Sequence, residues 1–251
     1  MQVKTDGLII RELNVGEYDR IVTILTRQKG VVRASARGAR RVNSRLSTAT
    51  RLFCYSDFNM FSGREKYIIN DAEPMEFFLG VNRELEKLAL AQYFAQLCGF
   101  LAPENEPAEF YLRLILNALH FIDSGNKPLQ LIKPVFELRI LTMSGYMPDL
   151  VACRSCGVYE AQTIYLEPLS GNLICSECAE SFPQTSPRTA LSKGALAAMR
   201  HAVYADFERL FSFSLPQSAS GEFADAAQSY LLCRLERSFP TLDFYNGLAV
   251  E

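Results

Sequence analysis

Hydrophobic residues come in two textures along this chain. Through the first 70 positions they form short runs rich in Val, Ile, Thr, Phe and Tyr, parted by turn residues. Such runs predict strands at 3–13, 20–28, 31–37, 49–61 and 66–70. Gln28-Lys29-Gly30 suits a tight hairpin, and Ser62-Gly63 supplies the turn before the fifth strand. From about residue 82 the apolar runs lengthen to helical size. Asn82 is the expected N-cap of the first helix, with Glu84 and Glu86 in its first turn, where the helix dipole favours acids. Beyond Leu88 that segment is apolar nearly all round, so it should be buried. Pro-Glu-Asn-Glu-Pro at 103–107 breaks the chain, a second helix runs to about Ile122, and a third reaches Gly145 across Pro134. Three consecutive apolar helices predict a bundle built around the first.

The later chain is more broken. Residues 150–182 lack a helical period, 181–190 reads as a Pro/Ser/Thr exit linker, and 212–221 as another loop. Ser192 is placed to cap a helix to about Val203, and a last helix spans about Glu222 to Arg237, both returning to the bundle. The fold class expected is α+β. Residues 1–80 form a five-stranded, OB-like barrel, with a plain sheet as the alternative. Residues 81–149 form a helical domain, 150–182 an inserted ribbon and 183–251 the C-terminal helices.

Charge sharpens this picture. The formal net charge is only −2. Yet residues 1–56 carry 11 basic and 4 acidic side chains, or +7, and residues 57–251 carry 15 and 24, or −9. From Arg20 to Ser56 there are nine cations and no acid. A solubility surface mixes signs, so this block points to a polyanion. In the third strand Arg33, Ser35 and Arg37 share one face, and Val32, Ala34 and Ala36 the other. Arg40, Arg41 and Arg45 follow on a polar stretch, 38–48, expected as a mobile surface loop, and Arg51 comes soon after. Arginine holds phosphate bidentately and stacks on bases, so these six are the candidate nucleic-acid contacts. Phosphate contact carries no sequence information, so little sequence preference is expected. Phe53, Tyr55, Phe58, Phe61 and Tyr67 serve either the barrel core or base stacking.

Cysteine usage adds a metal. Cys153, Cys156, Cys175 and Cys178 form two CxxC pairs separated by 18 residues. Two knuckles of this spacing complete a tetrahedral thiolate set, which suits one structural zinc ion with no position open for water. Ser170-Gly171-Asn172 between them looks like a hairpin turn, as in a zinc ribbon. Catalytic signals are absent: there is no GxxxxGK[ST] or GxGxxG, and His120 and His201 each sit among apolar residues of a helix. No signal-peptide pattern opens the chain, and its longest apolar stretch, about 88–102, falls short of the roughly 20 residues that span a bilayer. A soluble cytoplasmic protein that is not an enzyme is expected.

Four segments carry a resemblance: TDGLII at 5–10, GEYDRIVTILTRQKG at 16–30, ARGARRVNSRL at 36–46, and CRSCG with CSEC at 153–178. With them the chain resembles the bacterial RecO family of DNA repair proteins, which are recombination mediators. The resemblance implies an N-terminal OB-fold, a central helical domain and an inserted zinc ribbon. It implies binding of single- and double-stranded DNA, strand annealing, and loading of the RecA recombinase onto strands coated by single-strand binding protein (SSB). The partners implied are RecR and the acidic C-terminal tail of SSB. DNA contact is carried over to Arg40, Arg41 and Arg45, which lie in a matching segment. A zinc-ribbon transcription adaptor and a nucleic-acid-processing enzyme remain the competing readings of the residues alone.

Overall fold

A computed structural model describes residues 1–63, 67–181 and 187–248. Lys66, which opens the expected fifth strand, and 182–186 of the expected exit linker lie outside the described residues. The chain divides into two compact units, 1–124 with 241–251, and 125–240.

In the first unit, strands β1 (Gln2–Val15), β2 (Asp19–Thr26), β3 (Gly30–Ala36), β4 (Cys54–Ser62) and β5 (Tyr67–Phe77) close into a barrel of order β1-β2-β3-β5-β4. All neighbours run antiparallel except β3 and β5, which pair in parallel through Ala34–Tyr67 and Ser35–Ile68. Alternation delivers Ile9, Val22, Ile24, Val32, Ala34, Ala36, Phe58, Met60 and Ile69 to one core. The expected fourth strand began too early. Residues Leu46–Ala49 form a single helical turn, α1, and the strand starts at Cys54. Leu46 and Ala49, three apart on that turn, both enter the barrel core. Burying the Leu46 side chain contributes about 2 kcal/mol, which outweighs the strand preference of the neighbouring Thr residues.

Helices α2 (Leu85–Leu101) and α3 (Glu109–Ser124) belong to this unit, as does α8 (Pro240–Leu248), an element not foreseen. The Thr241 hydroxyl donates to Gln96 of α2, and Leu242 and Tyr245 are buried. Asn82 does not cap α2. It ends a 3-10 turn at Leu79–Asn82, and Glu84 takes the N-cap position. Asp123 of α3 explains the difference, since its Oδ1 accepts from the backbone N–H groups of Gly80 and Val81 and organises that turn instead.

The second unit holds α4 (Leu129–Met143), α6 (Lys193–Tyr204) and α7 (Gln217–Leu235), packed on one another, and a four-stranded sheet. Its strands are β6 (Asp149–Cys153), β7 (Ile164–Glu167), β8 (Asn172–Cys175) and β9 (Thr189–Leu191), in the order β6-β8-β7-β9, with a short helix α5 (Ser176–Ser181). The helices therefore fall into two groups and not into one bundle around α2. Ser192 caps α6 as expected, accepting from Ala195 N. Helix α7 starts five residues earlier than its composition implied, because Pro216 sets its N-cap and Ala219 packs against Gly194. Among the described residues no helix is long and apolar enough to cross a membrane.

Candidate nucleic-acid interface and cysteine cluster

The nine cations of the acid-free stretch separate into two roles. Arg20 is buried, and its Nη1 donates to Ser47 O and Thr50 Oγ1, so it holds α1 to the barrel. Burial lowers its pKa most; Arg51 and Arg40 lower it further, and Glu12, 3.9 Å away, opposes them. Arg27 donates to Asp6 at 2.8 Å and to Glu109 at 2.6 Å. Its bond to Asp6 raises its pKa. Burial raises the Asp6 carboxyl, but donation from Arg27 and Tyr55 outweighs this and leaves it below its usual value. Lys29 sits half-buried in the β2–β3 turn. Arg20 and Arg27 are thus occupied by the fold.

The other six are Arg33, Arg37, Arg40, Arg41, Arg45 and Arg51, and all are exposed. Among the described residues none forms an ion pair with an acid. Arg40 Nη1 donates to Gly16 O at 3.1 Å, and Arg41 lies 5.3 Å from the centroid of the Tyr18 ring. Val32, Ala34 and Ala36 are buried, so β3 projects Arg33 outward as the alternation predicted. The stretch 38–48 is not a featureless loop. Arg40 N bonds Tyr18 O, Arg41 N bonds Gly38 O, Ser44 N bonds Arg41 O, and Ala39 is fully buried. The arginines thus ride on a series of bonded turns between β3 and α1.

Arg11 was missed by the charge analysis because it precedes the acid-free stretch. Register places Arg11 opposite Thr23, and Thr23 opposite Arg33. Arg11 and Arg33 are therefore about 10 Å apart in one cross-strand row on the barrel's outer surface. A β-bulge between Ile9 and Arg11 turns Arg11 outward, where strict alternation from the core residue Ile9 would have put it inside, so strand period alone gave no signal for it.

Of the five candidate aromatics, Phe53 and Phe58 are buried, and Tyr67 packs against the core. Tyr55 donates its hydroxyl to Asp6 at 2.5 Å. Phe61 stays 48% exposed. Both histidines are in helices: His120 is exposed, and His201 bonds Arg209 O at 2.8 Å beside the Phe213 ring.

In the second unit the four cysteine Sγ atoms all lie within 4.8 Å of one another. Cys156 and Cys175 are 3.7 Å apart, far too long for a disulfide and close to the ~3.8 Å edge of a tetrahedron with 2.3 Å metal–sulfur bonds. Gly157, at φ +74°, and Gly171, at φ +76°, turn the chain after the first knuckle and between β7 and β8. Burial raises the Cys153 thiol, but backbone donors of Cys156, Cys175 and Ser155 bring it down to about 6. Ser155 donation lowers Cys178, yet its thiol neighbours push it up to about 12. Four thiolates do not ionise together at this range without a cation. The set fits one tetrahedral metal ion.

The base of the sheet is tied by arginines. Glu167, nearly buried, receives Arg154 at 2.9 Å and Arg188 at 3.3 Å. Arg200 of α6 donates to Leu150 O, Val151 O and Tyr159 O at 2.8–2.9 Å and stacks on the Tyr159 ring.

Comparison with known proteins covers nearly the whole chain, both regions included. Residues 1–78 match the family described as "Recombination protein O N terminal", and residues 82–243 match "Recombination protein O C terminal". The chain is 36% identical to the DNA repair protein RecO of Acetivibrio thermocellus over 98% of its own length and 97% of the relative's. It is 32% identical to that of Symbiobacterium thermophilum over 97% and 96% of the two chains. With that of Desulforamulus reducens the identity is 29% over 98% and 94%.

Proposed function

This chain belongs to the RecO family of DNA repair and recombination proteins, which are not enzymes, and from that premise we propose that it is a recombination mediator working through its arginine-bearing barrel. One observation carries the reading: six exposed arginines follow one another from β3 to the start of β4 with no carboxylate partner among the described residues. Like charges left unpaired on a bonded scaffold cost self-repulsion, and a polyanion removes it. The barrel, with its antiparallel strands closed by the parallel β3–β5 pair, is OB-like, and such barrels bind oligonucleotides on the β2–β3 face and the β1–β2 loop. Arg33, Arg37, Arg40, Arg41, Arg45 and Arg51 hold phosphates of single- and double-stranded DNA without sequence preference. Guanidinium groups screen both strands and leave base edges free, which allows annealing.

The rest follows the family. The protein helps load RecA onto SSB-coated single strands, RecR and the SSB C-terminal tail dock on it, and it works in the cytoplasm at the nucleoid. The four cysteines hold one zinc ion, which staples the β6–β9 sheet as a ribbon inserted between the helices. Zinc when bound supplies structure there, since all four ligands are protein.

Titration of labelled single-stranded DNA, bare and SSB-coated, at several salt concentrations tests this. If about five arginines meet phosphates, log K falls against log salt with a slope of roughly −3.5. Replacing Arg40, Arg41 and Arg45 with Ala flattens that slope by about 2. Unchanged binding in the triple variant removes the proposal, and strong preference for one sequence favours the transcription adaptor.

A further inference from the structure

Resting on the DNA-binding reading above, we propose that Tyr18 is a stacking platform for an unpaired base of single-stranded DNA, while the surrounding arginines hold the flanking phosphates. Tyr18 lies in the turn between β1 and β2 and is 50% exposed. Tyr93 and Tyr230 are buried; Tyr159 and Tyr204 are as exposed as Tyr18, but they belong to the other unit, not to the one that carries the basic stretch. Tyr18 is none of the strand aromatics singled out by sequence, and most of those turn inward.

Its position is fixed by the same segment that carries the arginines. Arg40 N donates to Tyr18 O at 2.9 Å, Arg40 Nη1 donates to Gly16 O at 3.1 Å, and Gly38 N donates to Asp19 Oδ1 at 2.8 Å. The β1–β2 turn and the turns after β3 are thereby one bonded tip. Arg41 sits over one face of the ring, a cation–π contact that orders the ring before any ligand arrives. Exposed apolar side chains accompany it: Leu13 is 50% and Val42 98% exposed. Leu13 pairs with Ile21 in register, on the same outer surface as the Arg11–Thr23–Arg33 row.

Charge chooses which part of the nucleotide meets this ring. Tyr18 stands between Glu17 and Asp19. Phosphate is repelled at that point, whereas a neutral base is not. Phosphates find cations a few ångströms away, on Arg40 and Arg41. An aromatic ring amid a basic track is how single strands are gripped without sequence readout, because every base offers a π-face. A duplex keeps its bases stacked and offers none without unpairing.

The chain contains no tryptophan, which makes the test direct. The Tyr18→Trp protein carries a single indole reporter, and adding an oligothymidylate strand is expected to quench its emission in step with the anisotropy rise of a labelled strand. Tyr18→Ala is expected to weaken single-strand binding by about 5- to 150-fold at every salt concentration, with the salt slope unchanged. Tyr18→Phe restores the affinity, and duplex binding changes little in either variant. An unquenched indole while anisotropy reports binding, or a Tyr18→Ala protein with wild-type affinity, overturns the stacking role and leaves the phosphate reading standing. A wild-type protein that gives no anisotropy response overturns the DNA reading itself.

Discussion

Arginine does opposite work in the two units of this molecule. In the unit built on the α4–α6–α7 helices it is a fastener. Arg154 and Arg188 close on Glu167, Arg200 reaches three carbonyls, and Arg139 bonds Ala205 O beneath Phe207. In the basic stretch of the barrel unit Arg20 and Arg27 are used that way, and six others stand without acids among the described residues. The difference teaches that a count of cations says little until their partners are known. An arginine held by buried carbonyls or carboxylates has its charge compensated and its fork fixed away from a phosphate. One exposed on ordered backbone without an acid keeps most of its five donors for a ligand.

The sharpest break of this comparison removes the metal. Cys175→Ser is expected to take metal content from one per chain to none and to open residues 150–181 to proteolysis, since binding energy of this kind is folding energy. Single-strand affinity should stay within about threefold, because the phosphate contacts proposed above are all on the barrel unit. A parallel collapse of DNA binding would show that the sheet, too, meets DNA.

Gly30→Ala comes next. Gly30 has φ +60°, and a Cβ there would lie 1.8 Å from Pro103 O. Strain and overpacking together should destabilise the barrel unit by roughly 3–5 kcal/mol in denaturant unfolding. A smaller loss would mean that the 103–108 connection is not what locks the β2–β3 turn.

Arg200→Ala and Arg33→Ala test the two uses of one residue type side by side. The first is expected to cost about 1.5–3 kcal/mol of stability with DNA affinity intact. The second should leave stability within about 0.5 kcal/mol and reduce the salt slope by roughly 0.7. Exchanged outcomes would reverse the assignment of roles.

The smallest effect is in acid. The Asp6 pKa is lowered in the folded protein, so the unfolded chain binds its proton first as pH falls. The Asp6–Arg27 pair thus adds stability above the ordinary carboxylate pKa of 3.8, and that part is lost as pH drops through the folded value. Asp6→Asn should flatten the acid limb of the unfolding curve without moving stability's response to pH above 6.

Local chemistry made much of this legible in advance. The strand runs, Ser192 as a cap, glycine at 30, 157 and 171 and the paired CxxC spacing are all consequences of neighbours within a few residues, so the sequence by itself determined them. Other features depend on residues far apart in the chain. Asp123 takes the N–H groups that displaced Asn82 as a cap, the barrel core draws Leu46 and Ala49 into α1, and α2 and α3 join the barrel while α4 goes to the other unit. The nine cations looked alike in one dimension. Only the folded chain decided that Asp6, Glu109, Ser47 and Thr50 would consume two of them, and that Tyr18 would stand open beside two others. The physical reason is that a charge's partners are set by distance in space, which spacing along the chain does not encode.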